Sequence, residues 1–230
     1  MSLAIAAGFG VLAGRCDTAD VRAVHGHRAY EDGAVVPSGP WRPLTRDLAR
    51  GLAPAAGTPD DVLVELVDVK NIDRTWLDRP GVTRLGRALS PADGLTTTSH
   101  HGSGLLIGLH LDNWDRLPYA AKHTGRRRLC INLGPGTRYL LVCDQDAQTV
   151  CRAVHSDWTA RYPHTDDLRS YVIEGRPVRC YRLRLDPGDG YVAPTEFLPH
   201  DGSTEGQQES TAAFWLGRWP SGLFAAGNAV

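Results

Sequence analysis

Lysine is almost absent from the sequence, which holds only Lys70 and Lys122, so nearly all of its positive charge is arginine. The formal net charge is −1 and the isoelectric point is near 6.7. Non-specific binding to nucleic acid relies on a basic field, which a chain with this charge balance does not produce. The composition therefore argues against a nucleic-acid partner.

Paired cysteines are also lacking. The five cysteines are odd in number, widely spaced and form no C-x-x-C pair. Neither a disulfide framework nor a zinc knuckle is indicated, and a reducing cytoplasm is the expected location.

No apolar run is long enough to cross a membrane as a helix. The opening segment Met1 to Gly14 is apolar, but it lacks the basic start of a signal peptide. At about fourteen residues it is too short for a bilayer. We predict a buried N-terminal strand or helix and no membrane partner.

The rest of the chain indicates a single domain built mainly of β-strands. Its 230 residues suit one domain of barrel size. Leucines at helical spacing predict one amphipathic helix over residues 43–53, and valines four apart favour another within 147–162. Short apolar runs bounded by glycine and proline predict strands at residues 62–69, 104–109, 127–133, 138–142, 178–185, 191–197 and 210–218.

These strands favour a particular architecture. Runs 127–133 and 138–142 are close enough to form a hairpin-like pair across Gly134, Pro135 and Gly136. Many short strands with few helices between them argue for a jelly-roll, cupin-like barrel with flanking helices. We expect elements in about residues 1–100 to flank a barrel core at about residues 101–220.

Three H-x-D triplets are present among nine histidines. Two residues apart on an extended segment, a histidine and an aspartate project to the same side and can hold one ion together. Context separates the triplets, because only the first follows an apolar strand that would carry its ligands to a barrel opening. The triplets are His110-Leu-Asp112, His155-Ser-Asp157 and His164-Thr-Asp166.

A third ligand would have to come from a distant strand. The segment from Gly188 to Ser203 runs through a turn and a predicted strand to His200. His200 can therefore be a ligand at the same opening, or a loop histidine bonded to Asp201, and spacing alone does not separate these two interpretations.

Together these residues resemble the Fe(II)/2-oxoglutarate-dependent oxygenase superfamily. Its double-stranded β-helix carries an H-x-D…H motif, matched here by His110, Asp112 and His200, with a P-G-D turn at residues 187–189 before the distal histidine. The resemblance implies an iron(II) site, 2-oxoglutarate as co-substrate, and O2. It covers about residues 105–219.

The resemblance also implies a basic side chain for the distal carboxylate of 2-oxoglutarate, since a guanidinium fork fits a carboxylate. Arg218, on the predicted strand after His200, is one candidate. Arg128, on the strand after the H-x-D triplet, is the other, and a surface salt bridge is the alternative role for either.

Asp112 bears on the implied reaction, because halogenating relatives have glycine or alanine at that position. A hydroxylase or desaturase is therefore expected, and the composition, typical of a GC-rich genome, favours a small amino-acid-like or natural-product substrate. Three alternatives stay open: a cupin-type isomerase or epimerase, a non-catalytic ligand-binding cupin, and zinc at the same ligands. The sequence does not indicate an oligomeric state.

Overall fold

The computed structural model describes residues 3–7 and 9–224, and within them the chain forms twelve strands and four α-helices. The elements of the first hundred residues are β1 (Ala4–Ala6), α1 (Phe9–Leu12), β2 (Cys16–Val24), β3 (Tyr30–Pro43), α2 (Arg46–Leu52), β4 (Leu63–Asp68) and β5 (Thr83–Ser90). They are followed by β6 (Leu106–Gly108), β7 (Arg127–Pro135), β8 (Arg138–Cys143), α3 (Ala147–Val154), α4 (Thr165–Ile173), β9 (Arg179–Leu185), β10 (Asp189–Ala193), β11 (His200–Ser203) and β12 (Ser210–Gly217). Short 3₁₀ helices lie at Asp60–Val62, Val69–Asn71, Arg74–Trp76, Tyr119–Thr124 and Trp158–Ala160.

The strands form two six-stranded sheets, one of which is nearly closed and barrel-like. The first sheet has the order β1-β4-β10-β7-β12-β5, and the second has the order β11-β8-β9-β2-β3-β6. All neighbours are antiparallel except β1 with β4 and β3 with β6. The largest core cluster lies between the sheets, because both contribute apolar side chains to it, among them Val64, Cys130, Ala212, Leu140, Val142 and Leu183.

Further clusters cover the outer faces. Val150 of α3 and Leu168 of α4 pack against Leu141 on the second sheet. Trp219 and Ile72 belong to a cluster on the outside of the first sheet. Both faces of each sheet bury apolar side chains, so several strands have few exposed positions. The alternation of apolar and polar residues that is typical of a sheet with one solvent-exposed face is therefore weak.

Most predicted elements are confirmed with small shifts. The helix over residues 43–53 is α2, and the helix within 147–162 is α3, which ends at Val154. The strand predicted at 104–109 is only three residues long, and the one at 191–197 is β10, which ends at Ala193. The N-terminal run contains β1 and α1; Met1, Ser2 and Gly8 within it lie outside the described residues.

The predicted hairpin of β7 and β8 is wrong, because the two strands belong to different sheets. Both edges of β7 are already hydrogen-bonded, to β10 and to β12, so no edge is left for β8. The connection is stabilised by the buried Asn132 amide, which donates to Gly136 O and Leu185 O at 2.9 Å each and accepts from Gly134 N. The turn between these strands therefore carries the chain across the core.

Among the described residues, no helix is both long and apolar enough to cross a bilayer.

Candidate metal centre

Three buried side chains meet where the segment after β6 forms a bridge to the start of β11. His110 and Asp112 follow β6, and His200 is the first residue of β11. The exposed fraction is 8% for His110, 8% for Asp112 and 2% for His200. One nitrogen or oxygen atom from each lies within 4.8 Å of the others. The predicted convergence of these three residues is confirmed.

Backbone hydrogen bonds hold the ligand-bearing segments together. His110 N donates to His200 O at 3.0 Å, and His200 N donates to His110 O at 2.9 Å. Asp112 N donates to Thr195 O at 2.9 Å, which ties the carboxylate ligand to the segment that leads into β11. The spacing of the three ligands is thus set by the chain itself.

Gly108 allows β6 to approach β3 closely enough for this arrangement. Its φ is +70°, and an added Cβ would lie 2.3 Å from Val35 O. Both the backbone conformation and the contact require glycine. Leu109 N then donates to Val35 O at 2.8 Å, one residue before the first ligand.

Each histidine of the cluster has a fixed tautomer. His110 Nδ1 lies 2.9 Å from Gly108 O, and His200 Nδ1 lies 3.1 Å from Leu198 O. Because a carbonyl oxygen only accepts, Nδ1 must carry the proton in both rings. This leaves the Nε2 lone pair of each imidazole for the centre of the cluster, the arrangement in which histidine binds metals.

The protonation states also suit a metal. Burial, and then the charge of Arg128, lower the pKa of His200 well below its ordinary value, so its ring is neutral at neutral pH. Burial alone would raise the pKa of Asp112, but the positive groups around it outweigh burial and lower it. Asp112 Oδ2 is buried without a hydrogen-bond partner. The neutral imidazole of His200 and a carboxylate oxygen without a hydrogen-bond partner are donors that fit a divalent cation.

Arg128 lies directly beside the ligands. Its guanidinium Nη2 contacts His200 Nε2 and lies 3.3 Å from Asp112 Oδ2. The guanidinium thus faces the atoms that a metal ion would contact, and it neutralises the Asp112 carboxylate. The other sequence candidate, Arg218, is exposed, and its Nη1 donates to Thr124 O at 3.1 Å. The structure brings Arg128 to the cluster and places Arg218 in an outer cavity of about 300 Å³.

A second arginine faces the same interior. Arg138 is 4% exposed, and its Nη1 has no hydrogen-bond partner. It lies on the side of β8 that also carries Leu140 and Val142 into the core between the sheets. The guanidinium carbons of Arg128 and Arg138 lie 5.5 Å and 5.8 Å from the centre of the Phe214 ring. Sequence reasoning missed this pairing, since only the register of β7 and β8 reveals which arginines point inward.

Asp201 supports the distal histidine from the neighbouring position. Its Oδ1 accepts from Thr98 Oγ1 at 2.7 Å and from Gly202 N at 2.6 Å. The alternative interpretation of His200 as a loop residue bonded to Asp201 is not realised, because His200 lies on a strand and its Nδ1 bonds Leu198 O. Asp201 instead fastens β11 to the segment around residue 98.

The other two H-x-D triplets have structural roles. His155 Nε2 lies 2.7 Å from Asp167 Oδ1, and Asp157 forms a salt bridge with Arg161. His164 caps α4 by accepting from Asp166 N at 3.2 Å. Their position in helical and loop segments was the signal that separated them from His110 and Asp112.

No protein-family model matches the sequence, and a comparison with curated proteins finds no significant match.

Proposed function

We propose that this chain is a mononuclear non-haem iron(II) oxygenase that uses 2-oxoglutarate as co-substrate. The observation that carries the proposal is the convergence of His110, Asp112 and His200 as a buried set in which both imidazoles bind backbone carbonyls through Nδ1 and Asp112 Oδ2 has no hydrogen-bond partner. Two histidines and one carboxylate on one side of an ion leave the other positions open, which suits oxygen-activating iron(II).

The fold supports the same proposal. The mainly β fold, with its nearly closed six-stranded sheet, is compatible with a double-stranded β-helix, the jelly-roll architecture of that oxygenase superfamily. The proximal pair follows β6, and the distal histidine begins β11, so the ligands come from separate strands that meet at one place. Fold alone does not determine function, and the proposal therefore rests on the ligand set.

Iron(II), when bound, would supply the positions at which O2 and the 2-oxo acid react. The chain's own residues set its surroundings. Gly108 O and Leu198 O orient the two imidazoles, and Asp112 provides a negative charge in place of an exogenous anion. This carboxylate favours hydroxylation or desaturation, because a halogenase needs that coordination position for chloride.

We assign Arg138 and Arg128 to the carboxylates of the co-substrate. Both are inward-facing guanidinium groups beside Phe214, and Arg138 retains a buried nitrogen without a partner. An unsatisfied buried cation is costly unless an anion binds it. A dicarboxylate such as 2-oxoglutarate matches this pair, with Arg138 binding the carboxylate distal to the metal ligands.

A small-molecule substrate would approach past Trp114, two residues after Asp112 and 54% exposed. Its neighbour Asp115 is instead used within the protein, in a salt bridge with Arg126 at 2.7 Å. An aromatic surface at the rim suits a compact substrate such as an amino-acid-like or natural-product intermediate.

The test is spectroscopic and chemical. Anaerobic addition of Fe(II) and 2-oxoglutarate should produce a weak visible charge-transfer band, and admission of air should release succinate. His110→Ala and Asp112→Ala should each abolish both signals, because each removes a ligand. His164→Ala, at the exposed histidine of another H-x-D triplet, is the matched control and should retain both.

One observation favours a second candidate function. The contact of Arg128 with His200 and Asp112 also suits an isomerase, an epimerase or a binding cupin in which these groups hold an organic anion or move a proton. A folded protein that binds no divalent metal and releases no succinate would support that alternative. Binding of zinc with no response to Fe(II) would indicate a zinc site at the same ligands.

A further inference from the structure

A lysine and a glutamate are buried together beside the ligands. Lys122 is 0% exposed and Glu196 is 1% exposed, and Lys122 Nζ donates to Glu196 Oε2. Lys122 is one of two lysines in the chain, and the other, Lys70, is exposed. Burying two charges requires desolvation that can cancel their attraction, so such a pair is weak support for stability alone.

The lysine binds the segment that carries the carboxylate ligand. Besides Glu196, Nζ donates to Asp112 O at 2.8 Å and to Asn113 Oδ1 at 3.0 Å. All three ammonium protons therefore have partners. One of these partners is the backbone carbonyl oxygen of Asp112.

The glutamate binds the next two residues of the same segment. Glu196 Oε1 accepts from Trp114 N at 2.6 Å and from Asp115 N at 3.1 Å. Gly125 allows the lysine-bearing 3₁₀ helix to approach, since a Cβ at this position would lie 2.8 Å from Glu196 Cβ. The ion pair thus holds residues 112–115 in one conformation.

The glutamate also belongs to the segment that leads to the distal ligand. It lies four residues before His200, and its neighbour Thr195 accepts from Asp112 N at 2.9 Å. A link between residues 112–115 and residue 196 therefore fixes the separation of Asp112 and His200, whose Oδ2 and Nε2 atoms are 3.8 Å apart.

We infer that Lys122 and Glu196 are positioning residues that set the affinity of the centre for its metal. Neither residue contacts the reacting atoms. They act through the backbone of Asp112 and through the segment before His200. This inference rests on the metal centre of the proposed function, and it does not depend on 2-oxoglutarate chemistry.

The test compares metal affinity with stability in the full-length protein. The double variant Lys122→Met/Glu196→Leu replaces the pair with apolar side chains and leaves no unpaired buried charge, so it should remain folded. Titration with Co(II), followed by its visible bands, should give a Kd raised about tenfold or more, the usual effect of losing an outer contact to a metal site. Lys70→Met is the matched control and should bind Co(II) like the wild type.

Urea unfolding of the metal-free proteins separates positioning from a structural role. An unchanged unfolding midpoint with weaker Co(II) binding and shifted bands supports the inference. Equal Co(II) affinity in the folded double variant overturns it, and so does a wild type that binds no Co(II). If the wild type binds Co(II) but releases no succinate with Fe(II) and 2-oxoglutarate, only the proposed oxygenase function is contradicted. The inference is then still decided by comparing the Co(II) affinity of the wild type with that of the double variant.

Should the double variant unfold, Glu196→Gln serves as the second variant. Its amide can still accept from the Trp114 and Asp115 amides, while the charge opposite Lys122 is removed. A raised Co(II) Kd in this variant supports the inference, and an unchanged Kd in it overturns the inference.

Discussion

Arg127 and Arg128 are neighbours in sequence with opposite roles. Arg127 Nη2 binds Glu65 and Leu63 O, whereas Arg128 contacts the ligand cluster. Successive side chains on a strand point to opposite faces, so a register change of one residue would exchange these environments. From their place after an apolar strand, the sequence predicted that His110 and Asp112 would lie in the cluster. It did not predict which arginine points inward, because register is set by strands distant in sequence.

Arg138→Leu should weaken the binding of 2-oxoglutarate that we propose. The substitution removes the inward-facing guanidinium, whose Nη1 has no hydrogen-bond partner. The 2-oxoglutarate concentration needed to develop the visible band should therefore rise about tenfold or more, because a charge-assisted bidentate pair is lost. Arg218→Leu, an exposed arginine, is the control and should leave that concentration unchanged. If Arg218→Leu raised this concentration and Arg138→Leu did not, the assignment would be contradicted and Arg218 would be the carboxylate-binding residue.

At the scale of elements, strands with clear apolar runs were predictable and irregular ones were not. β4, β7, β9 and β12 were predicted, although β9 alternates apolar residues with arginines. The fourteen-residue β3 contains Gly33, Pro37 and Gly39, which resemble turn signals. β5 is an exposed edge strand with few buried positions, so it lacks a strong apolar pattern. Pairing, rather than local propensity, forms these two strands.

β6 depends on one glycine, and alanine at that position should disturb the metal centre. Gly108→Ala adds a Cβ 2.3 Å from Val35 O at a φ of +70°, so β6 must separate from β3 and shift His110. We expect a loss of about 2–4 kcal/mol in the free energy of unfolding, together with weaker Co(II) binding.

Gly104→Ala is the matched control for that variant. Gly104 has a φ of +72°, but a Cβ there meets nothing within 4 Å. The control variant has the same backbone strain without the steric clash. Urea unfolding should therefore show a smaller loss in the free energy of unfolding. Equal losses in the two variants would show that backbone strain alone accounts for the effect.

At the scale of the whole molecule, each sheet combines three strands from the first half of the sequence with three from the second half. β4 pairs with β10, β5 with β12 and β2 with β9. The mainly β class could be predicted from short runs and their punctuation. These strand pairings could not be predicted, because they join segments more than a hundred residues apart and leave no local signal in either strand.

A fragment that starts at residue 101 should therefore fail to fold. Removing residues 1–100 deletes β1 to β5, exposes the edges of β10, β12 and β9, and opens the core between the sheets. Circular dichroism should show no cooperative thermal transition for residues 101–230, in contrast to the full chain. A well-dispersed amide NMR spectrum from the fragment would contradict this prediction.

The paired backbone bonds between His110 and His200 have a consequence for the life of the protein in a cell. Since these bonds need no ion, removing a bound metal with a chelator should leave the two imidazoles as neighbours, and fresh metal should restore the centre without refolding. Occupancy of the site by metal would then follow the supply of metal, so a chain without metal remains usable and need not be replaced by new synthesis.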